Sequence, residues 1–169
     1  MSAPDQNALE ALAAEVGTLL LANGQRLITA ESCTGGWVAQ ALTAIAGSSE
    51  WFERGFVTYS NEAKQEMLGV TPELLAAQGA VSEATAAAMA TGALRHSHAD
   101  WAVAITGIAG PTGGSPGKPV GTVCFAWADN TGGCATETCQ FAGDRREIRA
   151  KSVAHALNGV LERAAHLAA

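Results

Sequence analysis

This chain of 169 residues is poor in aromatic side chains, at 5%, and has a single tyrosine. It has no run near the 18 uninterrupted apolar residues that a membrane span needs, so a membrane partner is not expected. Residues 1–25 lack the basic start and apolar block of a secretory signal, because Asp5, Glu10 and Glu15 punctuate them. The expected location is the cytoplasm. Basic residues number 10 against 16 acidic ones, a net charge of −6, and they form no positive cluster. Nucleic acid, whose phosphates call for such a surface, is therefore not an expected partner. The four cysteines, Cys33, Cys124, Cys134 and Cys139, contain no CxxC pair, and Cys134 and Cys139 have opposite strand parity. Four reduced thiols and no metal site are expected.

Apolar residues make up 48% and charged residues 15%, which excludes a disordered chain. The length fits one domain, residues 1–169, with no linker or repeat dividing it. Leu9, Leu12, Val16, Leu19 and Leu20 at helical spacing predict a first helix over 5–23, stopped by Asn23-Gly24. Strands are predicted at 26–30, 55–60 and 101–107, with helices at about 34–46, 61–68 and 82–97. Asn61 is read as an N-cap that puts Lys64 at the third helical position, and Thr71-Pro72 starts a further helical turn. Asp129 to Gly133 joins two strand-like runs in a hairpin, and Asp144 with Glu147 makes a capping box for a last helix. That helix carries the stripe Val153, Leu157, Val160 and Ala164. The order αβαβααβββα predicts a three-layer α/β/α sandwich. Its sheet is mixed and mainly parallel, with an antiparallel C-terminal hairpin.

Polar clusters follow three predicted strands: Glu31 to Gly36, Tyr59 to Lys64, and Thr106 to Gly114. Ligands of open α/β sheets bind beyond the carboxyl ends of parallel strands, so the three should meet at one rim. Ser32 precedes a helix start where Thr34, Gly35 and Gly36 offer backbone N–H groups to a phosphate or an oxyanion; a plain helix cap explains the same residues. Lys64 sits badly for a cation near a helix N-terminus, and burial there would free a neutral amine to act as a base. A solvated surface lysine is the alternative. In the third cluster Thr106 and Thr112 present hydroxyls, while Gly107, Gly110 and Gly113 leave backbone amides open. The loop does not match GxxxxGK[ST], which argues against a nucleoside triphosphatase. His96, His98, His155 and His166 all fall on helices or helix ends, so a Ser-His-Asp triad has little support. Cys33 is a rival nucleophile to Ser32.

Taken together, ESCTGG (31–36), VTYSNEAK (57–64), GAVSE (79–83), TGIAGPTGG (106–114), KPVGTV (118–123) and FAGDRREIR (141–149) resemble the CinA C-terminal domain family. This is the family of nicotinamide-mononucleotide amidohydrolases, or deamidases. The resemblance runs from about residue 8 to 165, and the additional N-terminal domain common in the family has no counterpart here. It implies hydrolysis of the carboxamide of nicotinamide mononucleotide to nicotinate mononucleotide and ammonia, in pyridine-nucleotide recycling, without a cofactor. It also implies catalytic roles for Ser32, Tyr59 and Lys64, a contributing Thr106, a basic residue at Arg145 with Arg149 one turn on, and a homodimer or higher homo-oligomer. Combined with the clusters, it makes Ser32 the expected nucleophile and Lys64 its base, directly or through Tyr59. Thr34, Gly35, Gly36, Thr106, Gly107, Gly110, Thr112, Gly113 and Arg145 are the expected substrate-binding residues. The alternative is a nucleotide-binding or competence-associated interaction module without catalysis.

Overall fold

Alternation along two central strands divides the core into two unlike halves. The computed structural model describes residues 2–167; Met1, Ala168 and Ala169, which belong to the expected unit 1–169, lie outside the described residues. Helix α1 (Gln6–Asn23) is followed by β1 (Leu27–Glu31), α2 (Trp37–Thr43), a 3-10 turn and β2 (Phe52–Val57). Then come α3 (Asn61–Leu68), α4 (Pro72–Gln78), α5 (Glu83–Arg95), β3 (Trp101–Gly107), β4 (Thr122–Asp129), β5 (Cys134–Gln140) and α6 (Arg145–Leu167). The sheet order is β2-β1-β3-β4-β5. Strands β2, β1 and β3 are parallel; β4 is antiparallel to β3, and β5 to β4. The mixed α/β sheet expected from the sequence is the one observed.

Trp101, Val103, Ile105, Val123, Phe125 and Trp127 point to one face, where they pack with Leu9, Val16 and Leu20 of α1 and with Val153, Leu157 and Val160 of α6. The residues between them, Ala102, Ala104, Cys124, Ala126 and Ala128, point to the other face, against Ala86, Met89, Ala90 and Ala93 of α5. Period-2 alternation thus gives bulk to one side and methyl groups to the other. No described helix is long and apolar enough to cross a membrane.

Local sequence rules account for most of the helix ends. Asp5 caps α1, Thr71 caps α4 with Pro72 at its first position, and Ser82 caps α5. Asp144 Oδ1 accepts from the Glu147 amide at 2.9 Å while Glu147 Oε2 accepts from the Asp144 amide at 2.7 Å, the reciprocal box read from the sequence.

Four expectations need correcting. Ser60, not Asn61, caps α3, because its side chain accepts from the Ala63 amide; Lys64 moves one position into the helix. The Thr71-Pro72 turn is a full helix, so three helices separate β2 from β3. Strand β2 starts three residues earlier than the apolar run GFVTYS, since it is an edge strand whose register with β1 slips beside Leu27. Its Glu53 and Arg54 pair with each other, and that polar pair hides the strand in the sequence. Helix α2 starts only at Trp37, because Ser32 to Gly36 form a turn that contains two left-handed glycines, Gly35 and Gly36.

Candidate active site

The register of the parallel strands aligns Glu31 with Val57 on one side and with Ile105 on the other. The three polar clusters therefore leave the sheet at one level and meet, as expected of carboxyl ends. A cavity of ≈ 200 Å³ opens there, lined by Ser32, Cys33, Tyr59, Asn61, Lys64, Ala80, Val81, Thr106, Gly107, Ala109 and Arg145.

Lys64 is 1% exposed, the most buried basic side chain of the site. Its Nζ donates to Ser32 Oγ at 2.9 Å and to the Thr58 carbonyl at 2.8 Å. No carboxylate pairs with it among the described residues. Burial pushes its pKa below the usual lysine value, so the neutral amine is within reach at lower pH than for a surface lysine. The Thr58 carbonyl fixes one N–H, and a neutral amine can then turn its lone pair to the Ser32 hydroxyl hydrogen over the same 2.9 Å. The arrangement suits proton removal from Ser32.

The neighbouring thiol is unsuited to that role. Burial, with a smaller contribution from the nearby Glu31 carboxylate, pushes the Cys33 pKa up to about 12. A protonated thiol is a poor nucleophile.

Glu31 organises the turn that carries Ser32. Its carboxylate accepts from Thr34 Oγ1 at 2.7 Å and from the amides of Val38 and Ala39 at 2.9 and 3.0 Å. These are the open amides of the α2 N-terminus, and Gly36 itself has no capping side chain. Burial raises the Glu31 pKa, and the hydrogen bonds from Thr34, Ala39, Val38 and Gly36 oppose the rise. In the sequence Glu31 stands out only as the start of the ESCTGG motif; the signal for its capping role is a carboxylate that ends a buried strand.

Not every expected residue reaches the cavity. Thr34 faces Glu31, and the Gly35 amide donates to the Ser32 carbonyl at 3.0 Å, so both have partners within the turn. Gly36 also turns its amide to Glu31. The amide of Cys33 donates to no backbone carbonyl among the described residues and meets its own thiol sulfur. Thr106 Oγ1 donates to the Ala80 carbonyl at 2.8 Å beside the cavity. Thr112 and Gly113 lie on an exposed part of the loop, whereas Gly110 offers its carbonyl to Arg145 at 2.7 Å.

Tyr59 does not stand between Ser32 and Lys64. Its side chain is 61% exposed, and its hydroxyl accepts from Arg145 at 2.8 Å. Arg145 thus joins the Tyr59 segment to the glycine loop. Beyond it a second groove opens, lined by Trp37, Ala109, Pro111, Arg145, Arg146 and Arg149 among others, so the two spaces share Ala109 and Arg145. Arg149 is committed to the Ser32 turn, donating to the carbonyls of Cys33 and Thr34 at 3.1 Å each. Arg146 is exposed in the groove, and within FAGDRREIR no local signal separates it from its neighbours.

The chain as a whole is similar to proteins already known. The nicotinamide-nucleotide amidohydrolase PncC of Escherichia coli K12 is 58% identical over 146 residues, covering 86% of this chain and 88% of that protein. The protein of the same name from Pseudomonas putida is 49% identical over 151 residues, covering 89% and 94%. The crystal structure of the competence/damage inducible protein CihA from Agrobacterium tumefaciens superposes with a TM-score of 0.90 at 47% identity, covering 96% of this chain and 98% of that one. The CinA C-terminal domain model matches residues 9–164, and the chain belongs to that family.

Proposed function

We propose that this protein hydrolyses the carboxamide of nicotinamide mononucleotide to nicotinate mononucleotide and ammonia, with Ser32 as nucleophile and Lys64 as its base. The observation that carries the reading is the 2.9 Å contact between Lys64 Nζ and Ser32 Oγ, made by a buried lysine without a counter-charge. The names of the 58% and 49% identical relatives supply the substrate. Ser32 Oγ attacks the amide carbon as Lys64 takes its proton. The Cys33 amide, next in the chain after the nucleophile and bonded to no backbone carbonyl among the described residues, is the oxyanion donor we assign. Lys64 then hands the proton to departing ammonia, and water cleaves the acyl-enzyme. Tyr59 and Arg145 frame the cavity mouth rather than relay the proton.

The cavity holds the amide-bearing ring, and the adjoining arginine groove takes the phosphate. Arg146 is the arginine of this groove with no hydrogen-bond or ion-pair partner among the described residues, so it is assigned the phosphate contact along with Arg145. Such a reaction returns pyridine nucleotide to a form that a later amidation step can use.

The test is ammonia release from nicotinamide mononucleotide by purified protein, in the presence of a chelator, beside Ser32→Ala. Turnover by the wild type and at least a roughly 10³-fold loss in the variant are expected. Equal turnover by both would remove Ser32 from the mechanism. A folded wild-type protein that binds the nucleotide without releasing ammonia would favour the non-catalytic interaction module.

A further inference from the structure

A second cluster of reactive side chains lies two strands from β3, and none of its members lines the Ser32 cavity. Glu137 and Cys139 are two positions apart on β5, so both face α6, opposite Phe125 and Val123 of β4. His155 of α6 comes down onto them. Its ring lies 4.6 Å from Phe125, 5.7 Å from Trp127 and 6.1 Å from Phe141, which fixes the imidazole plane.

The contacts converge on one atom. His155 Nε2 lies 2.8 Å from Glu137 Oε2 and 3.4 Å from Cys139 Sγ, and all three ligand atoms are within 4.8 Å of one another. A single ring nitrogen carries at most one proton. If it donates to the carboxylate, it cannot accept from the thiol. If it accepts from the thiol, its lone pair faces that of the carboxylate. An N–H at Nε2 serves the carboxylate and leaves the thiol sulfur only a weak, off-line contact, whereas a cation between the three atoms would engage all of them.

The carboxylate is also held for the purpose. Arg163 donates to the other Glu137 oxygen at 2.9 Å, and its guanidinium sits 3.9 Å over the Trp127 ring. That grip leaves Oε2 turned to His155, the kind of outer contact that orients a metal-binding carboxylate.

We infer that Glu137, Cys139 and His155 form a binding site for a divalent transition cation of the zinc class, which clamps the edge strand β5 to α6. One sulfur, one nitrogen and one oxygen make a borderline donor set suited to zinc. Tetrahedral bond lengths put sulfur and nitrogen about 3.5 Å apart; the observed separation is 3.4 Å. The carboxylate would move back by about half an ångström to reach its tetrahedral place. Three protein ligands leave the fourth position to water. Burial and the Glu137 charge raise the Cys139 pKa, so the thiol proton passes to the buffer when the metal binds. No familiar ligand spacing marks the site, because the ligands come from an i, i+2 strand pair and a helix residue 16 positions further on.

The test is a titration of Co²⁺ into the full chain, previously stripped with chelator and desalted. One equivalent should produce a thiolate-to-cobalt charge-transfer band in the near ultraviolet, and Zn²⁺ should abolish it by displacement. The band should disappear in Cys139→Ser and persist in Cys134→Ser, whose thiol lies on the opposite face of β5. His155→Gln should weaken Co²⁺ binding at least roughly tenfold. Circular dichroism establishes that each variant is folded. Absence of the band in the wild type, its survival in Cys139→Ser, or unchanged affinity in His155→Gln would overturn the proposal; the last comparison decides alone if Cys139→Ser does not fold.

Discussion

Lys64 reaches back 32 positions to place its amine 2.9 Å from Ser32 Oγ, in a pocket that offers it carbonyl and hydroxyl oxygen but no carboxylate. Replacing Lys64 by Met keeps the apolar stem and removes the amine. Loss of kcat by about 10²–10⁴-fold is expected, without loss of fold. The pKa of Lys64 is depressed from 10.5, so turnover should fall as pH drops through that lower value and the amine gains its proton. Stability has the same sign: the unfolded chain binds the proton more tightly, so stability rises with pH between the folded and unfolded pKa values. Rate and denaturation profiles against pH check both limbs, and Lys64→Met should flatten each of them. An unchanged rate profile in the variant would clear Lys64 of the base role.

Arg146 tests the phosphate assignment. For Arg146→Ala, KM for the mononucleotide should rise roughly tenfold, the value of one charge-assisted contact, with kcat nearly unchanged. Nicotinamide riboside, which lacks the phosphate, should be handled alike by variant and wild type. A similar KM increase for both substrates would place the phosphate elsewhere.

Glu31→Gln keeps the shape of the side chain but exchanges one acceptor oxygen for an NH₂ group. The amides of Val38 and Ala39 and the Thr34 hydroxyl all donate into the present carboxylate, so one of them would meet a donor instead. A loss of about 1–3 kcal/mol is expected, read as a lower urea midpoint. Because Ser32 is the next residue, kcat should fall too. Wild-type stability in this variant would show that the carboxylate does not hold the α2 start.

Gly92→Ala sets two effects against each other. Alanine is favoured over glycine inside a helix by about 1 kcal/mol. The added Cβ, however, would overlap the Leu68 carbonyl where α5 crosses the end of α3. Backbone cannot swing aside as a side-chain tip can, so overpacking, at about 1–3 kcal/mol, should win. Thermal unfolding should show a lower midpoint for the variant, and a higher one would mean that α3 can shift.

Much of this architecture is legible in the chain because the signals are local. The β3 run, the Asp129–Gly133 hairpin and the Asp144–Glu147 box each lie within a few residues and appear where they were expected. The meeting of Ser32 and Lys64 follows from one inference, that parallel strands end at a common rim. What stays hidden depends on partners distant in sequence. Tyr59 and Arg145 are 86 positions apart, so the bond that turns the tyrosine hydroxyl away from Ser32 has no local trace. The glycine loop misleads in the opposite sense: its composition marks the whole segment, yet Gly107 and Ala109 line the cavity while Thr112 and Gly113 face solvent.

The division of the sheet into a bulky face and a methyl-lined face sets unequal terms for mutational drift. On the α5 side, Ala102, Ala104, Ala126 and Ala128 meet a helix that is itself largely alanine, so extra volume on either surface must push the helix off the sheet. On the α6 side, Phe125, Trp127, Leu157 and Val160 can exchange volume among themselves through rotamer changes. Descendants of this chain should therefore accumulate compensating pairs of substitutions under α1 and α6, and stay nearly invariant in side-chain size under α5.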